Sequence, residues 1–460
     1  MTKGRGRTTL VSGWGRSSPS RSTIFEGATL HEARDLIRTV GERGLLVRGL
    51  GRAYGDAAQN GGGALLELDR AGPVCLDGQT GLVTAGAGVS FDRLMRELLP
   101  MGWFVPVTPG TRQVTVGGAV AADVHGKNHH IDGSWGDHIE SMTMLMADGS
   151  VREVTPRDST GLFWATVGGM GLTGIVLACT FRARPVSTSR MLVDTERTTC
   201  LDETIARLMH YDHRRSYSVA WVDVLARGKS LGRAVITAGD HAPVEALAGD
   251  DLFDPLAFAP RTLPALPDLV PSRLLSSLTV AAFNSLWYRR ARSRRFDELQ
   301  SIATFFHPLD ALPNWNTLYG SRGFIQYQFV VPDDALDTLV EVIERLSAAR
   351  VPSFLTVLKR LGPSNSGMLS FPMRGWTMTL DIPAATAGLA ELLDELDVLV
   401  LGAGGRENLA KDARVDRAAM STMYPRLEEW KTIRAEVDPT DSFQSDQGRR
   451  LGLCEARSRS

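Results

Sequence analysis

Short apolar runs separated by glycine-rich turns dominate residues 28 to 185. Such runs, bounded by turn residues, predict strands and turns, as in GLLVRGLGRAYGD, GALLELD, GLVTAGAGVS, VTPGTRQVTVGGAVAADVHG and ESMTMLMADGSVREVT. Helical spacing of apolar residues is found in three other stretches, HEARDLIRTVGERG, FDRLMRELLPMG and DSTGLFWATVGG. The pattern therefore predicts an α+β domain in which strands outnumber helices.

The pattern changes between about residue 188 and residue 405. LDETIARLMH predicts a helix, and SYSVAWVDV and GRAVITAGD predict strands. The later part predicts strand, helix, strand, strand, helix, in the segments GFIQYQFVVP, DDALDTLVEVIERLSAAR with an aspartate cap, FLTVLKRL, WTMTLDIP and TAGLAELLDELDVL. This order predicts a second domain, a sheet with helices on one face.

Alternation along the strands predicts what each face of that sheet carries. Ile325, Tyr327 and Phe329 share one side of their strand and should meet the helices, so Gln326 and Gln328 should lie on the opposite side.

The same alternation places Thr377 and Thr379 together on another strand, and Lys359 lies on a neighbouring strand. Either a polar cavity or a solvated sheet face fits this pattern.

A proline-rich segment interrupts the second domain. Six of the 22 prolines lie between residues 243 and 271, which excludes a regular element and predicts a long loop of the kind that often covers a site. An apolar stretch follows, and it ends in Arg289, Arg290, Arg292, Arg294 and Arg295. The pattern favours a core helix with a solvated basic end over a surface that meets lipid and anionic head groups.

Composition and charge narrow the functional classes. The chain has 460 residues and a formal net charge of −1, which gives no basic surface and argues against nucleic acid as a partner. Its four cysteines form no CxxC pair, so neither a disulfide framework nor a zinc site is indicated. His125, His129 and His130 lack the HExxH spacing, and no metal site is predicted.

The N-terminal segment bears on localisation. It is basic and rich in glycine and serine but lacks the apolar core of a signal peptide, and no run of about 18 apolar residues occurs in the chain. We therefore expect a cytoplasmic protein or one peripheral to the membrane, with the cell envelope as a further location.

Glycines point to a bound dinucleotide. The G-x-G-x-x-G at residues 169–174 is not a Rossmann fingerprint, because a helix precedes it and a strand follows, the reverse of the required order. Three glycine-rich segments, residues 48–56, 109–118 and 169–174, nevertheless lie in one domain. Backbone N–H groups in such segments can converge on a pyrophosphate.

Long motifs carry a family resemblance that extends over nearly the whole chain. They are GLGRAYGDAAQNGGG, PVTPGTRQVTVGGAVAADVHGKNHH, LFWATVGGMGLTGI, GFIQYQFVVP, the AKD at residues 410–412 and MYPRLEEW. In these motifs the chain resembles the FAD-dependent decaprenylphosphoryl-β-D-ribose 2′-oxidases of actinobacteria, in the vanillyl-alcohol-oxidase superfamily. The resemblance implies an α+β fold with an FAD-binding domain of residues 1–187, a substrate domain of residues 188–405 with an antiparallel sheet, and a returning segment of residues 406–460.

The resemblance also implies an activity. The family oxidises the ribose 2′-hydroxyl of a polyprenyl-phosphate sugar to a ketone. A separate NAD(P)H-dependent short-chain reductase then completes the epimerisation to the arabinose donor for cell-wall polysaccharide. The implied partners are therefore a lipid-linked sugar phosphate and this reductase, with peripheral contact to a membrane.

The resemblance implies FAD as the cofactor. Many relatives attach flavin covalently through a histidine, and Arg52 stands where that histidine is expected, so non-covalent FAD is implied. The implied FAD-binding residues are Gly49, Gly51, Arg52, Ala53, Tyr54, Gly55, Gly110, Thr111, Gly117, Gly118 and Gly174.

Lys411 is the implied catalytic residue, and His125 is implied to face the flavin and the substrate. Oxidation of an alcohol by flavin needs a group that takes the hydroxyl proton or stabilises its charge, and a desolvated lysine can do either. The alternative is a surface lysine paired with Asp412.

The implied substrate-binding residues are Tyr319, Gln326, Gln328, Lys359, Thr377 and Thr379. Lys359 suits the phosphate as a point charge. Mycobacterial members carry cysteine at the position of Thr379 and asparagine at that of Thr377. The cysteine is not needed for hydride transfer, so activity is retained in this expectation, but reactivity toward thiol-directed inhibitors is lost.

Two other functions remain open on the sequence alone. One is an alditol or aldonolactone oxidase of the same superfamily, which would use a soluble polyol and would have no use for the apolar, arginine-flanked segment. The other is a catalytically inactive flavoprotein that serves as a scaffold for envelope enzymes.

Overall fold

The computed structural model describes residues 6–265 and 275–455. Residues 1–5 and 456–460, at the two ends of the expected FAD-binding regions, lie outside the described residues. So do residues 266–271 of the proline-rich loop and residues 272–274 of the apolar stretch. Among the helices of the described ranges, none is long and apolar enough to cross a membrane.

The regular structure of the described chain is divided between strands and helices. In chain order the strands are β1 (Arg7–Val11), β2 (Ser20–Glu26), β3 (Leu45–Val47), β4 (Ala64–Glu67), β5 (Val74–Leu76), β6 (Leu82–Gly86), β7 (Trp103–Phe104), β8 (Ile139–Leu145), β9 (Val151–Val154), β10 (Ile175–Arg182), β11 (Arg184–Pro185), β12 (Arg190–Thr198), β13 (Tyr217–Val222), β14 (Ala234–His241), β15 (Arg294–Ser301), β16 (Phe324–Pro332), β17 (Thr356–Leu361), β18 (Gly375–Pro383) and β19 (Arg406–Glu407).

Helices connect and cover the sheets. They are α1 (Leu30–Thr39), α2 (Phe91–Leu98), α3 (Val116–Ala121), α4 (His129–Asp132), α5 (Leu162–Thr166), α6 (Leu201–Asp212), α7 (Ser277–Arg290), α8 (Ile302–Phe306), α9 (Leu336–Ala348), α10 (Leu389–Gly402), α11 (Ala419–Met423), α12 (Leu427–Val437) and α13 (Asp446–Leu451).

Two larger sheets build the N-terminal region, beside a small sheet of β7 and β11. The first has the order β1-β2-β4-β3, with parallel pairing of β2 and β3 to β4. The second is antiparallel and has the order β5-β6-β10-β8-β9. The predicted helices α1, α2 and α5 are confirmed, but the prediction of strands and turns throughout residues 107–126 was wrong, because VGGAVA forms α3 with the Thr115 side chain as its cap.

An eight-stranded antiparallel sheet dominates the rest of the molecule, in the order β15-β12-β14-β13-β17-β18-β16-β19. The predicted order β16, α9, β17, β18, α10 is confirmed. Apolar residues of α6, α9 and α10 pack on one face of this sheet with Tyr327, Phe329 and Met378. The α+β fold with an antiparallel sheet is therefore confirmed.

Two helix predictions were wrong in detail. Helix α9 begins after Ala335, which makes no side-chain cap, so the aspartate cap is absent there. Helix α7 contains the apolar stretch, but it is no core helix, because Val280 and Asn284 are its buried residues and the large apolar side chains face outward. Three of the five arginines follow its last turn, in the connection to β15 or in β15 itself.

The C-terminal residues return to the N-terminal sheets. Phe443 forms a parallel bridge with Leu45, and Trp430 of α12 packs against α5 with its indole N–H donating to the carbonyl of Ala165 at 2.8 Å. Arg450 contacts both Asp56 and Asp412, at 2.6 Å and 2.9 Å. A buried indole and a partly buried ion-pair network thus connect the last residues to the N-terminal region.

Replacement of Trp430 by alanine should lower the free energy of unfolding by about 3–5 kcal/mol, because a fully buried aromatic side chain leaves a cavity when it is removed. Trp287→Ala is the matched control, since this indole is 49% exposed and its loss should cost less than about 1 kcal/mol. Urea denaturation followed by circular dichroism measures both, and equal losses in the two variants would contradict the burial argument.

Candidate active site and cofactor cleft

A cleft lies among the three glycine-rich segments. Four of the glycines implied as FAD-binding line it, namely Gly49, Gly117, Gly118 and Gly174. Gly88 and Gly171 line it as well, so the convergence expected from the sequence is present.

The backbone of the first glycine-rich segment offers unused donors. The amide groups of residues 49–53 have no acceptor within the described parts of the chain. Side chains would not fit at some of these positions, since a Cβ on Gly49 would lie 2.4 Å from the hydroxyl oxygen of Thr115. A run of free amides beside a glycine-lined cleft is the arrangement that binds an anionic group such as pyrophosphate.

The other residues expected at the cofactor lie outside this cleft. Ala53 and Gly55 pack on the C-terminal segment, where a Cβ on Gly55 would come within 1.9 Å of the Asp412 carbonyl. The Arg52 guanidinium lies 3.8 Å from the centre of the Trp14 ring. Gly51 turns with a positive φ of 63° that suits glycine.

Gly110 and Thr111 face a different neighbour. The Thr111 hydroxyl donates to Asp310 at 2.6 Å, and Gly110 has open space around its Cα. Thr111 therefore contacts the loop between α8 and β16, and neither residue lines the glycine-lined cleft.

The polar face of the eight-stranded sheet carries the residues expected at the substrate. Gln328 pairs with Thr379 and Lys359 pairs with Thr377 across neighbouring strands, and the helices cover the opposite face. The alternation prediction is confirmed, and Gln326 and Gln328 are buried. The pattern therefore describes a buried polar face rather than a solvated one.

Gln328 organises the centre of this face. Its side-chain nitrogen lies 3.1 Å from Nε2 of His125 and 3.3 Å from the hydroxyl of Thr377, and its oxygen accepts from Asn408 at 3.0 Å. Burial, followed by the charge of Lys359, lowers the pKa of His125 well below its usual range. A neutral imidazole accepts the amide proton at Nε2, so His125 carries its own proton on Nδ1.

Lys411 lies inside the protein beside this face. Its ammonium group is 4.1 Å from the centre of the Tyr54 ring, and Asp412 binds Arg450 instead of Lys411. The alternative of a surface lysine paired with Asp412 is therefore wrong. Burial lowers the pKa of Lys411 to about 8, the nearby Asp381 raises it, and Lys359 lowers it further.

Asp381 supplies the negative charge in this part of the site. One oxygen accepts from Gln326 at 2.5 Å, and the other is buried without a hydrogen-bond partner among the described residues. Burial raises the pKa of Asp381 to about 7, whereas the Gln326 hydrogen bond and Lys411 lower it. Sequence reasoning missed this residue, although it continues the alternation of Thr377 and Thr379 on β18.

Two further lysines add positive charge. Burial lowers the pKa of Lys359 to about 8, and within the described chain this ammonium has neither a hydrogen bond nor a carboxylate partner. Lys127, which sequence reasoning also missed within HGKNHH, donates to the carbonyl of Phe305, and burial together with Lys359 lowers its pKa to about 7. Buried, unpaired ammonium groups are costly unless an anion joins them.

Tyr319 closes one side of the site. Its ring stacks on Phe324 at 4.1 Å, and its hydroxyl is buried without a partner among the residues that the structure describes. Burial and the charge of Asp381 raise the pKa of Tyr319 well above its usual value. The hydroxyl is therefore a neutral group available to a ligand.

Comparisons with known proteins agree with these features. The model of an FAD-binding domain family matches residues 23–155. Decaprenylphosphoryl-β-D-ribose oxidase of Mycolicibacterium smegmatis is 44% identical over 97% of this chain and 98% of its own length. An uncharacterized protein of the mprA 5′ region of Streptomyces coelicolor is 42% identical over 79% of this chain and 100% of its own.

Shorter matches cover only a part of the chain. A putative D-arabinono-1,4-lactone oxidase of Neurospora crassa is 30% identical over 26% of this chain and 22% of its own length. The match to the Mycolicibacterium smegmatis protein, over 97% of this chain, includes the glycine-rich cleft and the polar sheet face. The chain is therefore an FAD-dependent oxidoreductase, and it belongs to the decaprenylphosphoryl-β-D-ribose oxidase family.

Proposed function

We propose that this protein oxidises the 2′-hydroxyl of a polyprenylphosphoryl-β-D-ribose to the 2′-ketone. The observation that carries the proposal is the desolvated ammonium of Lys359, which is half-buried and has no partner in the described chain, on the same polar face as Gln326 and Gln328 and close to Lys411. A neutral polyol would leave that charge uncompensated, whereas a phosphodiester would neutralise it. Family membership supports the same substrate class.

Within this proposal, residues 1–187 and 406–460 form the FAD-binding domain and residues 188–405 form the substrate domain. The unused amides of residues 49–53 and the glycine-lined cleft fit the cofactor's pyrophosphate. Arg52, stacked on Trp14, provides no nucleophile for a bond to the flavin, so the FAD is non-covalent.

Lys411 and His125 act at the reacting hydroxyl in this proposal. When bound, FAD supplies the acceptor for the hydride that leaves the alcohol carbon. The amine form of Lys411 takes the hydroxyl proton. A pKa of about 8 suits this role, because a general base works best when its pKa is near the working pH. His125, fixed by Gln328, offers its Nδ1 proton to a ribose oxygen, and Tyr319 offers its free hydroxyl.

Lys359 and Lys127 bind the phosphate in this proposal. The two ammonium groups repel each other, and the charge of Lys359 accordingly lowers the pKa of Lys127. An anion placed near both removes that repulsion. Thr377 and Thr379 complete the pocket, and Thr379 offers no thiol to a thiol-directed inhibitor.

The product defines the remaining partner. A 2′-ketone requires hydride from a reductant to become the epimeric alcohol, so we propose an NAD(P)H-dependent short-chain reductase as the enzyme that acts next. A lipid-linked substrate also implies work at the surface of a membrane, either from the cytoplasmic side or in the cell envelope.

Anaerobic mixing of the purified holoprotein with a short-chain polyprenylphosphoryl-ribose tests the proposal. The absorbance of oxidised flavin should bleach with this substrate and persist with ribitol and xylitol. Bleaching by the polyols alone would establish a soluble-polyol oxidase. Persistence of the oxidised flavin with every sugar would favour the inactive scaffold.

Lys359→Met should weaken the use of the phosphorylated substrate. Loss of a charge-assisted contact of about 1.5–3 kcal/mol corresponds to a drop of roughly 10- to 150-fold in kcat/KM. Methyl β-D-ribofuranoside, which lacks the phosphate, should lose little by comparison. Lys431→Met, which removes a lysine paired with Glu428 at the surface, is the control. Equal losses with both sugars would remove Lys359 from phosphate binding.

Asp381→Asn should move the pH dependence of flavin reduction to lower pH. Lys411 is charged below its pKa of about 8, and the rate should rise as the amine forms above it. Asp381 favours the charged form, so its neutralisation should lower the pKa of Lys411 by roughly one unit or more. The chain has six lysines, so NMR of lysine labelled at Cε and Nζ can follow Lys411 directly.

Asp333→Asn provides the matched control for that experiment. Asp333 pairs with Arg360 near the end of β16, so its neutralisation should leave the Lys411 titration unchanged. Tyr54, Lys359 and His125 also face Lys411 and are unaltered in both variants. An unchanged pKa of Lys411 in Asp381→Asn would rule out electrostatic control of Lys411 by Asp381.

A further inference from the structure

Helix α7 presents its large apolar side chains to the outside of the molecule. Leu278 is 79% exposed, Leu286 67%, Trp287 49% and Phe283 45%. At about 100° per residue, these four side chains spread over roughly the outward half of the helix, and Phe283, Leu286 and Trp287 lie closest together. A helix at the surface of a globular protein normally turns its apolar side to the core, so this orientation is inverted.

Hydrogen bonds on the inner side of α7 fix this orientation. The Asn284 amide donates to Asp223 at 3.0 Å and to the carbonyl of Ser353 at 3.2 Å. The Tyr288 hydroxyl donates to the carbonyl of Thr198 at 3.1 Å. Rotation of the helix would bury its leucines only by breaking these buried polar contacts, which is unfavourable.

Free positive charge adjoins the apolar side. Arg289, Arg290 and Arg292 are exposed, and none has a carboxylate partner in residues 6–265 or 275–455. Arg294 and Arg295, by contrast, are paired with Glu196 and Glu298. Three unpaired arginines therefore lie at the C-terminal end of the exposed apolar side.

Aromatic contacts connect α7 to the candidate active site. The Phe283 ring lies 5.9 Å from the Phe354 ring, which in turn stacks on Tyr319 at 5.7 Å. Tyr54, under the ammonium of Lys411, belongs to the same apolar cluster as Tyr319. The exposed apolar side is thus continuous with the wall of the site.

We infer that this side of α7 docks on an anionic lipid bilayer. Leucine and aromatic side chains would enter the boundary between head groups and acyl chains, and the three free arginines would contact anionic head groups. The apolar side chains of α7 match the apolar interior of such a bilayer, and the unpaired arginines match the negative charge of its head groups. The inference rests on the proposed function in one respect: docking here brings the site to the membrane in which a polyprenyl substrate resides.

Sedimentation of the holoprotein with vesicles tests the inference. Vesicles of phosphatidylcholine with 30% phosphatidylglycerol should bind the protein, and pure phosphatidylcholine should bind it much more weakly. Replacement of Arg289, Arg290 and Arg292 by glutamine should reduce the partition coefficient roughly 100-fold, at about fivefold per arginine. Leu286→Glu should reduce it at least about tenfold.

Leu10→Glu is the matched control, because Leu10 is 61% exposed on β1 of the first sheet. It should bind vesicles as the unmodified protein does. Equal binding by Leu286→Glu and Leu10→Glu, or no binding to anionic vesicles at all, would overturn the inference. So would a dimer in analytical ultracentrifugation that Leu286→Glu dissociates, because a second copy would then cover this side.

A short-chain substrate in vesicle-free solution separates the two proposals. Leu286→Glu should reduce its flavin with this substrate at the unmodified rate, since the site itself is unchanged. Vesicle binding without turnover in the unmodified protein would contradict the proposed function and leave the docking surface intact. Turnover without vesicle binding would contradict the docking surface alone.

Discussion

The turn at residues 408–412 holds the two halves of the site together. The amide of Asn408 donates to the carbonyl of Gln328 on β16 at 3.0 Å, and the carbonyl of Ala410 accepts from Tyr54 in the first glycine-rich segment at 2.9 Å. Asp412 is bound by Arg450. Lys411 projects from a turn that is fixed on three sides, so neither β16 nor the first glycine-rich segment could shift without displacing its ammonium group.

This constraint explains how the protein tolerates unpaired charge in its interior. Lys411, Lys359 and Lys127 are half-buried with desolvated ammonium groups, and Asp381 is the carboxylate that acts on Lys411. Burial of ammonium groups with too few counter-charges destabilises a fold, and the packing around them must offset that cost. A site with excess positive charge before its ligand arrives carries an electrostatic cost that an anion would relieve.

Local patterns predicted the parts of this arrangement that depend on neighbouring residues. Alternation placed Gln326, Gln328, Thr377 and Thr379 on one face because the period of a strand is fixed by geometry. The same alternation, extended by two residues from Thr379, would also have placed Asp381 on this face. The cap of α9 was mispredicted because two aspartates preceded a helix that begins later than they suggest.

Patterns failed where the answer depended on contacts between distant segments. The apolar content of α7 indicated a core helix, yet its polar residues found partners such as Asp223 and Thr198, some 61 and 90 positions away, and these turned the apolar side outward. The alternative of an ion pair between Lys411 and Asp412 was wrong for the same reason, because Asp412 is paired with the distant Arg450. Hydrophobic periodicity states which side of a helix is apolar; long-range hydrogen bonds decide which side is buried.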